Sequence, residues 1–122
     1  FDINKCLMTA PPEDALDYEL HLRERYKKIS SIYRSEPFFI EIMPKDVDKA
    51  TALDHMLEII GMKQEDTICC GDGFNDISMI KYAGVGVAMG NATEKVKAAA
   101  DAVTDTNNRD GIALVLEEMF SA

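Results

Sequence analysis

No run of apolar residues in this 122-residue chain approaches the roughly 20 needed to cross a bilayer. No secretory signal pattern opens it. Cysteine is scarce: Cys6, Cys69 and Cys70 are an odd set without metal-ligand spacing. Cys69 and Cys70 are neighbours on an expected strand, so they point to opposite faces and should not pair. Reduced thiols in a cytoplasmic protein are therefore expected. Positive charge is also short, with 13 Lys and Arg against 22 Asp and Glu, a formal net charge of −9. Nothing resembles a basic patch, which argues against nucleic acid and anionic membranes as partners. Repeats and low-complexity segments are absent. The first residue is Phe1 rather than an initiator Met, and a fragment or a processed product is the expectation.

What remains is an ordinary soluble composition, 47% hydrophobic and 29% charged, enough for one modest core. One stretch organises it: Cys70-Gly71-Asp72-Gly73-Phe74-Asn75-Asp76. A short apolar run leads in and a helical pattern leads out. In an open parallel sheet, ligands sit beyond the carboxyl ends of the strands. Asp72 and Asp76 are hard oxygen donors suited to Mg²⁺ rather than to zinc or copper. The glycines allow a sharp turn and close approach to a ligand. The turn reads as half of a magnesium-dependent phosphate site.

The pattern predicts a strand from Ile3 to Thr9 and then a helix started by Pro11-Pro12-Glu13-Asp14. Ala15, Tyr18, Leu22 and Tyr26 form its apolar stripe, with Leu16 and Leu20 beside them and charges opposite. Strands Ile29–Arg34 and Phe38–Met43 follow, with Pro37 at a turn or edge. Pro44 to Asp48 breaks the pattern, so residues 1–43 and 44–122 are read as separate domains. In the second, a helix from Asp48 to Ile60 should bury Ala52, Leu53, Met56, Leu57 and Ile60, ending at Gly61. Next come a strand into Asp72, a helix Asp76–Ala83, a strand Val85–Met89, a helix Ala92–Ala100 capped at Asn91-Ala92-Thr93-Glu94, a strand Ala102–Thr104, a polar loop and a helix Gly111–Phe120. Alternating strands and helices predict an α/β fold with a parallel sheet.

Each candidate has a plainer alternative. Asp72 also suits an ordinary Asp-Gly turn, but Asn75 and Asp76 on the same connection are more than a turn needs. Asp76 serves equally as a helix cap. Asn75 offers an amide donor to a substrate oxygen or tolerates unusual backbone angles. Lys49 meets the positive end of a helix dipole, a misfit of some tenths of a kcal/mol that a nearby phosphate and carboxylate would relieve. The run Gly84 to Gly90 has the wrong spacing and context for a dinucleotide fingerprint. Asp46-Val47-Asp48 reads as a pair of helix-start acids.

Four segments in order carry a resemblance. Asp48-Lys49-Ala50-Thr51-Ala52-Leu53, Gly71 to Met79, Ala83 to Ala92 and Asn107 to Ala113 look like the C-terminal part of a Cof-type hydrolase of the haloacid dehalogenase superfamily. These are Mg²⁺-dependent sugar-phosphate phosphatases. The resemblance covers nearly all of residues 44–122, and residues 1–43 resemble the end of that subfamily's α/β cap. Ala50 departs from the family's usual glycine. The implied fold is the C-terminal half of a Rossmann-like parallel sheet preceded by the end of a cap. The implied mechanism runs through an aspartyl-phosphate. Asp72 would bind Mg²⁺, Asp76 would bind or orient it, Lys49 would hold the phosphate and the nucleophile, and Asn75 would contact the substrate phosphate. The substrate would be a small phosphorylated metabolite.

The family's nucleophile and acid, an Asp-x-Asp pair on a strand, have no counterpart here. Without a nucleophile, covalent catalysis has no starting point. Negligible activity is expected of this chain alone. The strand before Asp72 should have an open edge that invites pairing, with a homodimer, a swapped assembly or a missing N-terminal half as its partner. Two other readings compete: the phosphorylation domain of a P-type ion pump, and a non-catalytic binding or regulatory module that keeps the metal turn.

Overall fold

The structure is a computed structural model that describes residues 4–121. The first strand, β1, runs Cys6–Thr9; the expected start at Ile3 lies outside the described residues. Helix α1, Pro12–Tyr26, begins with proline in its first turn, Glu13 and Asp14 beside its positive end, and Arg23 and Arg25 in its last turn. Strands β2, Ser30–Glu36, and β3, Phe39–Pro44, form a hairpin across Pro37-Phe38, with a register shift between Arg34 and Glu36. The three strands make an antiparallel sheet in the order β1-β3-β2. Its core is Ala15, Ile32 and Ile40, flanked by Met8, Leu22 and Ile42. The expected helix stripe is only partly right. Leu16, Tyr18, Leu20 and Tyr26 are exposed, while Glu19 is buried. Ala15, Glu19 and Leu22 share one helical face, and that face meets the sheet.

A turn at Lys45 to Asp48, with Asp46 left-handed at φ 62°, leads to helix α2, Lys49–Ile60. Asp48 caps it: Asp48 Oδ1 accepts from Thr51 N at 2.9 Å and from Thr51 Oγ1 at 3.0 Å. Gly61 ends it in the left-handed conformation, and Met62 N donates to Leu57 O at 3.0 Å.

Strand β4, Ile68–Gly71, pairs in parallel with β5, Val85–Ala88, which pairs in parallel with β6, Ala102–Val103. Helix α3, Ile77–Tyr82, connects β4 to β5, and a single helical turn α4, Glu94–Lys97, connects β5 to β6. Helix α5, Gly111–Phe120, closes the chain. A second core gathers Ile80, Ala88, Ala92 and Val96, with Phe74 and Ile77 against it. The order β4-β5-β6 leaves β4 at a sheet edge among the described residues. The glycines around β5 serve packing: a Cβ on Gly86 would collide with the backbone carbonyl of Ile80 in α3. No helix among the described residues is long and apolar enough to cross a membrane.

Helix α2 buries less than its periodicity predicts. Leu57 is buried and Leu53 partly so, but Ala52, Met56 and Ile60 are exposed. The cause is β4's position: no described strand lies beyond it for the rest of the stripe to cover.

Candidate active site

The turn after β4 is built around one buried carboxylate. Asp76, 5% exposed, ends a short 3-10 turn, Phe74–Asp76. Its Oδ2 accepts from the backbone N–H of Asp72 at 3.0 Å and of Gly73 at 2.9 Å. Hydrogen bonds to an ionised acceptor contribute roughly 1.5–3 kcal/mol each, so Asp76 fixes the path of the Gly-Asp-Gly segment. Its Oδ1 accepts from Lys49 Nζ at the start of α2. The misfit of a lysine at a helix N-terminus is thereby relieved by a carboxylate. Gly71 makes the arrangement sterically feasible: a Cβ there would lie 2.7 Å from Asp76 Cγ and 2.8 Å from Asp76 Oδ2.

Asp72 sits one residue beyond β4 and is exposed. Its Oδ2 accepts from Asn91 Nδ2 at 2.8 Å, and its Oδ1 accepts nothing from the described residues. Asn91 was expected to cap a helix. Instead Thr93 precedes α4 without a side-chain cap bond, and Asn91 turns to the site. Its Oδ1 accepts from Asn107 N at 3.0 Å. The loops after β4, β5 and β6 are thus joined at one sheet end through one side chain. Sequence reasoning missed this role; the available signal was an Asn directly beyond a parallel strand adjacent to β4, at the end where ligands sit.

Asn75 is partly buried and folds over Gly73, where a Cβ would meet Asn75 Oδ1 at 2.5 Å. It lines a cleft of about 400 Å³ shared with Asp48, Tyr33 and Arg34. A second cleft of about 230 Å³ lies between Asp72, Asn91 and the hairpin tip Ser35 to Pro37. Phe74 lines both. Tyr33 donates to Met43 Sδ at 2.8 Å. Burial first, then the charges of Glu41 and Asp48, raise its phenol above the usual range and keep it protonated. Burial likewise pushes the Cys69 and Cys70 thiols up. All three cysteines are free.

At the carboxyl end of β4, Asp76 therefore joins the Lys49 ammonium to the Asp72 backbone, with Asn75 one residue from Asp76. The family model of the haloacid dehalogenase-like hydrolases matches residues 1–116. This chain belongs to the haloacid dehalogenase-like hydrolases.

Among relatives, a 5-amino-6-(5-phospho-D-ribitylamino)uracil phosphatase of Bacillus subtilis is 44% identical over 101 residues, covering 83% of this chain and 41% of its own. A phosphoglycolate phosphatase of Methanopyrus kandleri is 42% identical over 83 residues, covering 68% of this chain and 36% of its own. Among solved structures, the subclass IIB sugar phosphatase BT4131 superposes with a TM-score of 0.85 at 33% identity, over 98% of this chain and 44% of that one. The chain thus spans less than half the length of these relatives. For a haloacid dehalogenase-like hydrolase, it presents acids and a lysine at a strand end, but among the described residues no strand carries an Asp-x-Asp pair.

The donor set fits magnesium. Mg²⁺ keeps several waters and is held by one or two carboxylates together with phosphate oxygens. Asp72 offers Oδ1. Asp76 has both oxygens engaged by Lys49 and by backbone amides, which suits it to orienting the turn. Among the described residues no cluster of three or more His, Cys, Asp or Glu side chains is placed to hold a metal. The remaining ligands would come from water and the phosphate.

Proposed function

We propose that this chain is the metal- and phosphate-holding part of a Mg²⁺-dependent phosphatase acting on phosphomonoesters of small, sugar-like metabolites. The observation that carries this reading is the Lys49–Asp76–Asp72 constellation at the end of β4. The sugar phosphatase and the two named phosphatases among its relatives support it.

In this reading residues 1–43 are the C-terminal part of an α/β cap and residues 44–122 the C-terminal half of the catalytic core. Two separate sheets, each with its own apolar cluster, support that division. Lys49 places its ammonium where phosphoryl oxygens gather negative charge during transfer. Asn75 presents its amide to a phosphate oxygen. Asp72, held by Asn91, offers Oδ1 to Mg²⁺, and Asp76 keeps the turn in shape. Magnesium, when bound, neutralises and orients the phosphoryl group. The attacking carboxylate, which would form the aspartyl-phosphate, comes from residues this chain does not contain.

The test has two arms. Titration of the ¹⁵N-labelled chain with Mg²⁺ should shift the amide resonances of Asp72, Gly73 and Asn75, and Asp72→Asn should abolish the shifts. No response to Mg²⁺ would remove the metal reading. The chain alone should not turn over p-nitrophenyl phosphate. Mg²⁺-dependent turnover lost in Asp72→Asn would overturn the assignment of the nucleophile to other residues.

A further inference from the structure

The cleft beside Asn75 carries a charge pattern that a single phosphate does not need. Arg23 and Arg34 reach it from the first sheet and its helix, and Lys95 reaches it from α4. Two carboxylates also line it, Glu19 and Asp48, and both are already committed. Asp48 caps α2 through Thr51. Glu19, 7% exposed, accepts from Arg34 Nε at 2.8 Å and from Arg23 Nη1 at 3.2 Å. Both guanidiniums are therefore held by one buried carboxylate. Arg34 is bound through Nε, which leaves its two terminal nitrogens as an end-on fork, the geometry that receives a carboxylate or phosphate in two parallel bonds. Lys95 and Arg34 both lie within 6 Å of the Phe74 ring centroid, at 5.6 and 5.9 Å. Three cations against two acids give this cleft a positive excess in a chain whose net charge is −9. The ring attracts both cations, and Glu19 and Asp48 together leave one of the three cations unbalanced.

We infer that the cleft receives a second oxyanion, a carboxylate or a second phosphate, carried by the leaving group. The substrate class is then a phosphate ester with two anionic ends, one at Lys49 and Asn75 and the other at Arg34 and Lys95. This rests on the phosphatase reading above and narrows it. The two named relatives differ on this point, since phosphoglycolate carries a carboxylate and the ribitylaminouracil phosphate does not, so kinship does not choose between them.

Binding to the ¹⁵N-labelled 122-residue chain in excess Mg²⁺ tests it with named probes: inorganic phosphate, then glycerol 3-phosphate against 3-phosphoglycerate, then fructose 6-phosphate against fructose 1,6-bisphosphate. In at least one pair the doubly anionic member should bind about tenfold tighter, the scale of one charge-assisted pair, and shift the resonances of Arg34 and Lys95. The glycerol pair reports a carboxylate and the fructose pair a phosphate. Lys95→Met and Arg23→Gln, both at exposed side chains, should each cut that preference to about threefold or less. Arg34→Gln should do the same where circular dichroism shows it folded. Equal binding within both pairs, or a preference that survives Lys95→Met and Arg23→Gln, would overturn the inference alone. No response to inorganic phosphate would overturn the phosphatase reading and this inference with it.

Discussion

The side-chain amide of Asn91 donates to the Asp72 carboxylate at 2.8 Å across nineteen residues of sequence. It holds one carboxylate oxygen, and Asp72 lines the 230 Å³ cleft beside the β2–β3 hairpin tip. Partners that orient a metal-binding side chain typically change metal affinity 10- to 100-fold when removed. Asn91→Ala should therefore weaken Mg²⁺ binding by about tenfold or more, read from the amide shift of Asp72 during titration. The same affinity in the variant would show that Asp72 needs no such support.

Asp76 and Gly71 form one steric and electrostatic unit. Asp76→Ala would strand the N–H groups of Asp72 and Gly73, at about 1–3 kcal/mol each before water reaches them. A loss of roughly 2–5 kcal/mol in urea unfolding is expected. Gly71→Ala forces Asp76 aside and should cost about 1–3 kcal/mol as an overpacked site, with altered resonances at Lys49. A Gly71→Ala protein as stable as the parent, with an unshifted Lys49, would show the turn to be looser than described.

Alkaline pH should destabilise the fold. Burial raises the Cys69 and Cys70 thiols and the Tyr33 phenol, and the hydrogen bond to Asp54 pushes half-buried Tyr82 up to about 12. Each group holds its proton more tightly folded than unfolded. Their contribution is complete below the unfolded values, about 8.5 for thiols and 10 for phenols, and is lost as pH rises through the raised folded values. The melting temperature should be level with respect to these groups near pH 8 and fall above it, with Tyr82→Phe flattening the fall between pH 10 and 12. In the same samples exposed Cys6 should react with a thiol reagent well before Cys69 and Cys70. Three thiols labelling at one rate would contradict the burial.

Helix α2 leaves Ile59 83% exposed, Phe120 at the end of α5 is 72% exposed, and β4 offers an unpaired edge. Apolar surface beside a free strand edge drives association. Light scattering should find the isolated chain as a dimer or larger, and Ile59→Lys with Met56→Lys should lower the mass. A monodisperse monomer at all concentrations would argue that these faces are tolerated in water.

Much of this was legible in the residues. The strand–turn–helix around Asp72, the cap at Asp48, the stop at Gly61 and the hairpin turn at Pro37 all follow from local chemistry, and local chemistry acts within a few residues. Lys49 was marked by its mismatch with the helix dipole. The parallel sheet followed from alternating elements. What escaped notice depends on distant partners. Glu19 was not singled out, although Ala15, Glu19 and Leu22 lie on one face, and its burial is matched by Arg34 from strand β2. Asn91 looked like a cap because its local sequence permits one; the bond to Asp72 exists only once β4 and β5 lie side by side. The stripe on α2 was read correctly as apolar and wrongly as covered, since periodicity reports what a face prefers and not what stands opposite.

The reach of Asn91 also bears on the order in which the molecule assembles. The β2–β3 hairpin closes across two residues, and such hairpins form on the order of 1–10 μs. The site waits longer. Lys49 must find Asp76 across 27 residues, β4 must align in parallel with β5, and only then does Asn91 meet Asp72. Contacts of long sequence separation form late because loop closure is paid before they give anything back. In pulsed hydrogen exchange during refolding, the amides of Ile32 and Ile40 should be protected before those of Asp72 and Gly73. The chemistry of this chain would then be the last of its structure to mature, and early folding species would carry the scaffold without the site.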